Sequence, residues 1–241
     1  MAQKKLALIG KNISYSFSKK YFENKFRNLM IDGYTYDLYD LDTESEIEKL
    51  LKTPNLRGVN VTIPYKEKVQ PFLDELSEEA RETGAVNCIL IKDNIKKGFN
   101  TDAFGFEQTL LLHRKEKHQS ALILGNGGAA KAVKYVLQKL MIPYKTVARK
   151  EELTFDHLDT ETVADHRLII QCTPVGTFPN VDDCLSFPFE ALSADHLVID
   201  LIYNPAMTAF LQNSAQHNAK TVNGLYMLEQ QAEKAWKIWN F

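Results

Sequence analysis

The segment Leu122-Ile123-Leu124-Gly125-Asn126-Gly127-Gly128-Ala129-Ala130 joins an apolar run to a helical pattern through three glycines. Few folds accept that order. A short run without polar residues reads as a strand buried on both faces, and a helix directly behind it implies a crossover to a parallel neighbour. The spacing is G-x-G-x-x-A. In that pattern Gly125 permits the tight turn, Gly127 lets backbone approach a pyrophosphate, and the small Ala130 lets helix and strand touch. The turn from Gly125 through Asn126, Gly127, Gly128 and Ala129 is thus a candidate dinucleotide site, with the phosphate among free amides at the helix N-terminus. A glycine-rich connection of no function is the alternative.

The rest of the chain repeats the alternation. Apolar or period-two runs at 5–9, 34–38, 58–63, 86–91 and 95–99 are expected strands, the last two flanking an Asp93-Asn94 hairpin turn. Helical stripes are expected at 19–30, 43–52 and 77–83, with Thr43-x-x-Glu46 read as a capping box. After the polar stretch 113–120, strands at 121–124, 145–147, 168–172, 197–201 and 221–222 accompany helices at 129–140 and 227–239. Strands separated by helices imply an α/β fold with mostly parallel sheets in two lobes.

The 241 residues are 44% hydrophobic and 25% charged, enough to bury a core without staples. A formal charge of −2, from 29 Lys+Arg against 31 Asp+Glu, offers no concentrated basic face and argues against nucleic acid. Cys88, Cys172 and Cys184 make neither a C-x-x-C pair nor an even disulfide set, as expected in a reducing cytoplasm, and no metal-ligand spacing stands out. The opening Lys4-Lys5 precedes only four apolar residues, too few for a signal peptide, and no run approaches a membrane span.

Arg149 and Lys150 follow the second strand of the glycine-turn lobe, where an acidic residue would hold the ribose 2′-hydroxyl of NAD. Two cations there suit the 2′-phosphate of NADP; a solvated turn neutralised by Glu151 and Glu152 is the alternative. In Asn60-Val61-Thr62-Ile63-Pro64-Tyr65-Lys66 a strand is expected to run into a helix begun by Pro64. A lysine in a first helical turn is poorly placed for stability but poised to exchange a proton with an alcohol or ketone. Pairing with Glu67 is the plainer reading. Asp102 reads as a helix N-cap or a carboxylate of a site, and Asn87 as a turn residue or a ligand contact. Asn60 and Thr62 end a strand with polar groups, as ligand sites on open α/β sheets do.

Together these words resemble the shikimate dehydrogenase family. They are Gly58-Val59-Asn60-Val61-Thr62-Ile63-Pro64-Tyr65-Lys66-Glu67, Gly84-Ala85-Val86-Asn87, Asn100-Thr101-Asp102 and the glycine turn, followed by Thr173-Pro174-Val175-Gly176, Asp200-Leu201-Ile202-Tyr203-Asn204-Pro205 and Asn223-Gly224-Leu225-Tyr226-Met227-Leu228 with Gln231. The resemblance implies NADP-linked reduction of 3-dehydroshikimate to shikimate, with Lys66 as acid/base and Asp102 its partner. It implies substrate contacts at Ser16, Ser18, Asn60, Thr62, Asn87 and Gln231, and adds Thr173, Tyr203 and Gly224 to the cofactor residues. It further implies a substrate-binding domain over 1–102 completed by a returning C-terminal helix, 224–241, and a Rossmann-like domain over 103–223, in a monomer or homodimer. A relative acting on quinate or aminoshikimate, or a non-catalytic dinucleotide sensor, are the rival readings. The chain departs from the family pattern at Tyr15, Lys19, Ala148 and Tyr226.

Overall fold

The structure is a computed structural model describing residues 3–14 and 16–240. Strands, in chain order, are β1 (Lys4–Gly10), β2 (Tyr34–Asp40), β3 (Leu56–Val61), β4 (Glu75–Leu76), β5 (Cys88–Lys92), β6 (Ile95–Phe99), β7 (Ala121–Leu124), β8 (Tyr144–Val147), β9 (Leu168–Gln171), β10 (Leu197–Asp200) and β11 (Lys220–Val222). Helices are α1 (Phe17–Asn28), α2 (Glu46–Leu51), α3 (Glu78–Thr83), α4 (Thr101–His113), α5 (Gly128–Lys139), α6 (Thr160–Asp165), α7 (Ala209–Gln216) and α8 (Leu225–Trp239). They divide into two compact units, one holding residues up to Phe104 together with those from Gln231 onward, the other Gly105–Gln230.

The first unit is a six-stranded sheet of order β2-β1-β3-β5-β6-β4. Its β1 pairs in parallel with β2 and β3, whereas β5 runs antiparallel to both β3 and β6. The reversal comes from a two-residue hairpin in which Asp93 and Asn94 both take positive φ, 52° and 63°. That is the turn whose twist matches paired strands, and Asn and Asp tolerate it best after glycine. Period-two alternation sends Ala7, Ile9, Val59 and Val61 to a layer with Ile47, Leu50 and Leu51 of α2. Leu6 and Leu8 face the other way, onto Phe22 of α1 and Ala232, Ala235 and Trp239 of α8.

Trp239 closes this second layer. Its indole Nε1 donates to the Ile89 carbonyl at 2.9 Å, and the ring lies on Gly58, where a Cβ would come within 2.3 Å of it.

The second unit is a five-stranded sheet of order β11-β10-β9-β7-β8, with every pairing parallel. Its strands carry no exposed residue except on β8 and β11 at the edges, as a sheet covered on both faces requires. Leu122, Leu124, Ile169 and Val198 pack with Val163 of α6 and Phe210 and Leu211 of α7. No helix among the described residues is long and apolar enough to cross a membrane.

Candidate active site

The first unit gathers its polar side chains where β3, β5 and α4 meet. Lys66 does not sit on a helix. Residues 63–69 form turns and a bend, and Pro71 has no amide to donate back to residue 67, so no helix runs on through it. Lys66 therefore occupies no first helical turn, contrary to the expectation from Pro64. The turn is fixed instead by Tyr65, whose buried ring sends its hydroxyl to the Leu41 carbonyl at 2.7 Å, and by the Lys66 carbonyl, which accepts from the Val86 amide at 2.8 Å.

Held that way, the Lys66 Nζ donates to Asp102 Oδ2 at 2.7 Å. The carboxylate side chain is 6% exposed and the lysine 22%, so the pair has a buried acid and an accessible amine. Lys66 thus pairs with Asp102 and not with Glu67. Asp102 is not the helix cap either. Asn100 takes that position, its Oδ1 accepting the Ala103 amide at 3.1 Å, while Asp102 lies in the first turn of α4, where a negative charge meets the positive dipole end. Asn100 is itself held by Thr83 Oγ1 at 2.9 Å and the Ala85 carbonyl at 3.0 Å.

Asn87 and Asn60 continue the polar group. Asn87 Oδ1 accepts the Thr101 amide at 2.6 Å and its hydroxyl at 3.2 Å, and the Asn60 Nδ2 donates to the Asn87 carbonyl at 3.3 Å. Ser16 caps α1 by accepting the Ser18 amide at 3.2 Å. Thr62 stands one residue past β3 and Gln231 half-buried on α8; neither side chain bonds to this group among the described residues. Lys19 lies 4.0 Å from Glu23, and Tyr15 is outside the described residues. Tyr36, Thr83 and Thr101 are partners that sequence reasoning missed. A tyrosine in an alternating strand reads as core, and only the polar Asn60 two strands away hints that its hydroxyl has a partner.

In the second unit, Gly125 has φ +105° and a Cβ there would come within 2.8 Å of Thr173 Cγ2, so both conformation and contact require glycine. Gly127 is the N-cap of α5, and among the described residues no side chain caps the helix's leading amides. A Cβ at Gly127 or Gly128 would meet nothing within 4 Å, so these glycines serve no internal packing and leave bare backbone at a helix N-terminus. Ala129 is half-buried and Ala130 fully buried in the first turn behind them. That cradle fits a pyrophosphate.

Arg149 and Lys150 are exposed in the turn after β8 and make no ion pair among the described residues. Glu151, offered as their neutralising partner, is held by Asn126 Nδ2, and Lys134 Nζ donates to Asn126 Oδ1 at 2.7 Å. Thr173 follows β9, its amide bonded to Gln171 Oε1, and Tyr203 is half-buried after β10. Gly224 opens α8 against backbone, with a Cβ there only 2.1 Å from the Leu201 carbonyl oxygen. Tyr226 is half-buried in that helix's first turn.

A parallel sheet with this glycine turn, and a lysine–carboxylate pair at strand ends of a separate sheet, define a dinucleotide-linked oxidoreductase of the α/β class. Residues 8–89 match the family model for the shikimate dehydrogenase substrate binding domain. A shikimate dehydrogenase (NADP(+)) of Clostridium beijerinckii is 37% identical over 96% of this chain and 90% of its own. Among solved structures, a chorismate mutase/shikimate 5-dehydrogenase fusion protein from Clostridium acetobutylicum superposes with TM-score 0.87 at 32% identity, covering 100% of this chain and 92% of that one. Shikimate 5-dehydrogenase of Thermus thermophilus, in complex with NADP(H) and shikimate, gives TM-score 0.87 at 27% identity over 98% and 93%. The chain belongs to the shikimate dehydrogenase family.

Proposed function

We propose that the protein interconverts 3-dehydroshikimate and shikimate with NADP(H), using Lys66 as the proton donor and acceptor and Asp102 as its partner. The observation that carries this reading is the 2.7 Å contact between an accessible amine and a buried carboxylate. An ammonium has three hydrogens, and Asp102 engages one. The other two remain for the oxygen of the reacting carbonyl. As that oxygen gains negative charge on reduction, Lys66 delivers a proton to it; in the reverse direction the amine removes the proton from the hydroxyl. Asp102 keeps the ammonium in place and balances its charge.

Ser16, Ser18, Asn60, Thr62, Asn87 and Gln231 would make the remaining substrate contacts, with the serine hydroxyls on the carboxylate. When bound, NADPH supplies the hydride. The turn from Gly125 to Ala129 would hold its pyrophosphate, Arg149 and Lys150 the 2′-phosphate, and Thr173, Tyr203 and Gly224 would line the remainder. The first unit, with the C-terminal helix, would then bind substrate and the second the dinucleotide.

Initial rates with shikimate and quinate, each with NADP and NAD, test the reading. We expect the shikimate–NADP pair to have the highest kcat/KM; a preference for quinate, or no turnover with dinucleotide still bound, would reject it. Lys66→Ala should lower kcat by about 10²–10⁴-fold with the fold retained. Equal rates in mutant and wild type would remove Lys66 from this role.

A further inference from the structure

The Asn60 side chain lies between two partners that leave it one orientation. One is the main-chain carbonyl of Asn87, at 3.3 Å from Nδ2. A carbonyl only accepts, so the NH₂ end of the amide has to face it. The other is the hydroxyl of Tyr36, at 2.8 Å from Oδ1. Tyr36 lies on β2 opposite Leu6 of β1, and Asn60 on β3 opposite Leu8 of β1, so the phenol reaches over the intervening strand.

That hydroxyl has little freedom. Tyr36 is 3% exposed, and its ring stacks on Phe22 with centroids 4.7 Å apart and planes 14° from parallel. Burial holds the phenol far above its ordinary titration range, so it remains a neutral O–H donor. Asn87 is fixed by the same logic. An amide N–H only donates, so the 2.6 Å contact from Thr101 N identifies the Asn87 atom it meets as oxygen, leaving Nδ2 of Asn87 without a protein partner among the described residues. Each asparagine therefore keeps an N–H to offer.

We propose that Tyr36 is a positioning residue: its hydroxyl fixes the Asn60 amide so that the position presents a donor and selects an acceptor oxygen on the substrate. The proposal rests on the reading of Asn60 as a substrate contact. Without the hydroxyl, Oδ1 loses its donor and only the 3.3 Å contact to the Asn87 carbonyl still orients the amide, so the N–H that Asn60 presents to the substrate is held less firmly.

Tyr36→Phe keeps the stacked ring and removes only the donor. It should raise KM for shikimate about 3- to 10-fold, as loss of one hydrogen bond does, with kcat changed less and KM for NADP unchanged. In a double-mutant cycle on kcat/KM, Tyr36→Phe should add nothing to Asn60→Ala, because the hydroxyl acts through that amide. A purely structural tyrosine would give additive losses. Asn60→Asp, which leaves Tyr36 intact but replaces the donor by an anionic acceptor, should raise KM for shikimate still further. An unchanged KM in Tyr36→Phe, additivity in the cycle, or wild-type binding by Asn60→Asp would each overturn the proposal. If wild type turns over shikimate and Tyr36→Phe is silent, this inference falls alone; if wild type does not turn over shikimate, the functional reading falls with it.

Discussion

Asp200 has no solvent exposure, and both its oxygens are engaged: Oδ1 accepts the Ile202 amide at 3.0 Å and Oδ2 the Thr208 hydroxyl at 2.7 Å. Burial outweighs these bonds and pushes its carboxyl up to about 6. The folded state therefore holds a proton that the unfolded chain has released, and this contribution to stability is full below the ordinary carboxylate range and lost as pH rises through about 6. Measured against Asp200→Asn, wild type should lose about 2 kcal/mol of stability between pH 4 and 7, because each pH unit separating the ordinary from the raised value is worth about 1.36 kcal/mol and part of the loss precedes pH 4. Chemical denaturation of both proteins at several pH values reads this, and parallel pH profiles would contradict it. Asp200 stood in the sequence only as part of a family word, because no pattern distinguishes a strand-end aspartate that water reaches from one that it does not. Lys66 and Asp102 were nameable for a similar reason and in a similarly limited way. Each had a bland local reading, Glu67 or an N-cap, and only the contact across 36 residues decides against both.

Elements followed the hydrophobic period where the chain is apolar and regular. The strand at Ala121–Leu124 and the hairpin through Asp93 and Asn94 lie where the pattern put them, since full burial or a positive-φ turn leaves one choice. The elements that escaped are short. α6 and α7 have caps in Asp159 and Thr208, which accept the Thr162 and Leu211 amides at 2.8 and 3.2 Å, but six and eight residues give too little periodicity to read. The Thr43–Glu46 box is half made. Glu46 Oε1 takes the Thr43 amide at 2.9 Å, yet the threonine hydroxyl bonds to Ser45 and Glu46 and the helix starts only at Glu46 itself. Where a helix starts can also depend on a single missing carbon. At Gly224 a methyl group would press on the Leu201 main chain, which has no flexible tip to yield. Gly224→Ala should lower stability by about 1–3 kcal/mol, seen as a fall in Tm; an unchanged Tm would mean that the start of α8 can slide.

At the scale of the molecule, each unit has its own sheet and its own core. The general class was legible because alternating strands and helices leave few arrangements. The antiparallel β5 of the first unit was less so, because only the hairpin betrays it. Completion of that unit by distant chain is invisible to local pattern. Trp239, with Ala232 and Ala235, completes a layer whose other buried residues all precede Phe104, and Arg57 Nε in turn donates to the Trp239 carbonyl at 3.1 Å. Trp239→Ala should cost about 3–5 kcal/mol. Urea unfolding followed through Trp236 reports on this unit, since both tryptophans of the chain belong to it. An unaltered midpoint would show that the layer closes without the indole.

The same side chain sets an order of events on the ribosome. Residues up to Phe104 are made first, yet the indole that lies on Gly58 is 135 positions further along. At about 5–20 residues per second, that is a delay of about 7–27 s. Until it ends, the nascent first sheet carries an unfilled apolar face, and every strand of the later sheet is translated within that interval.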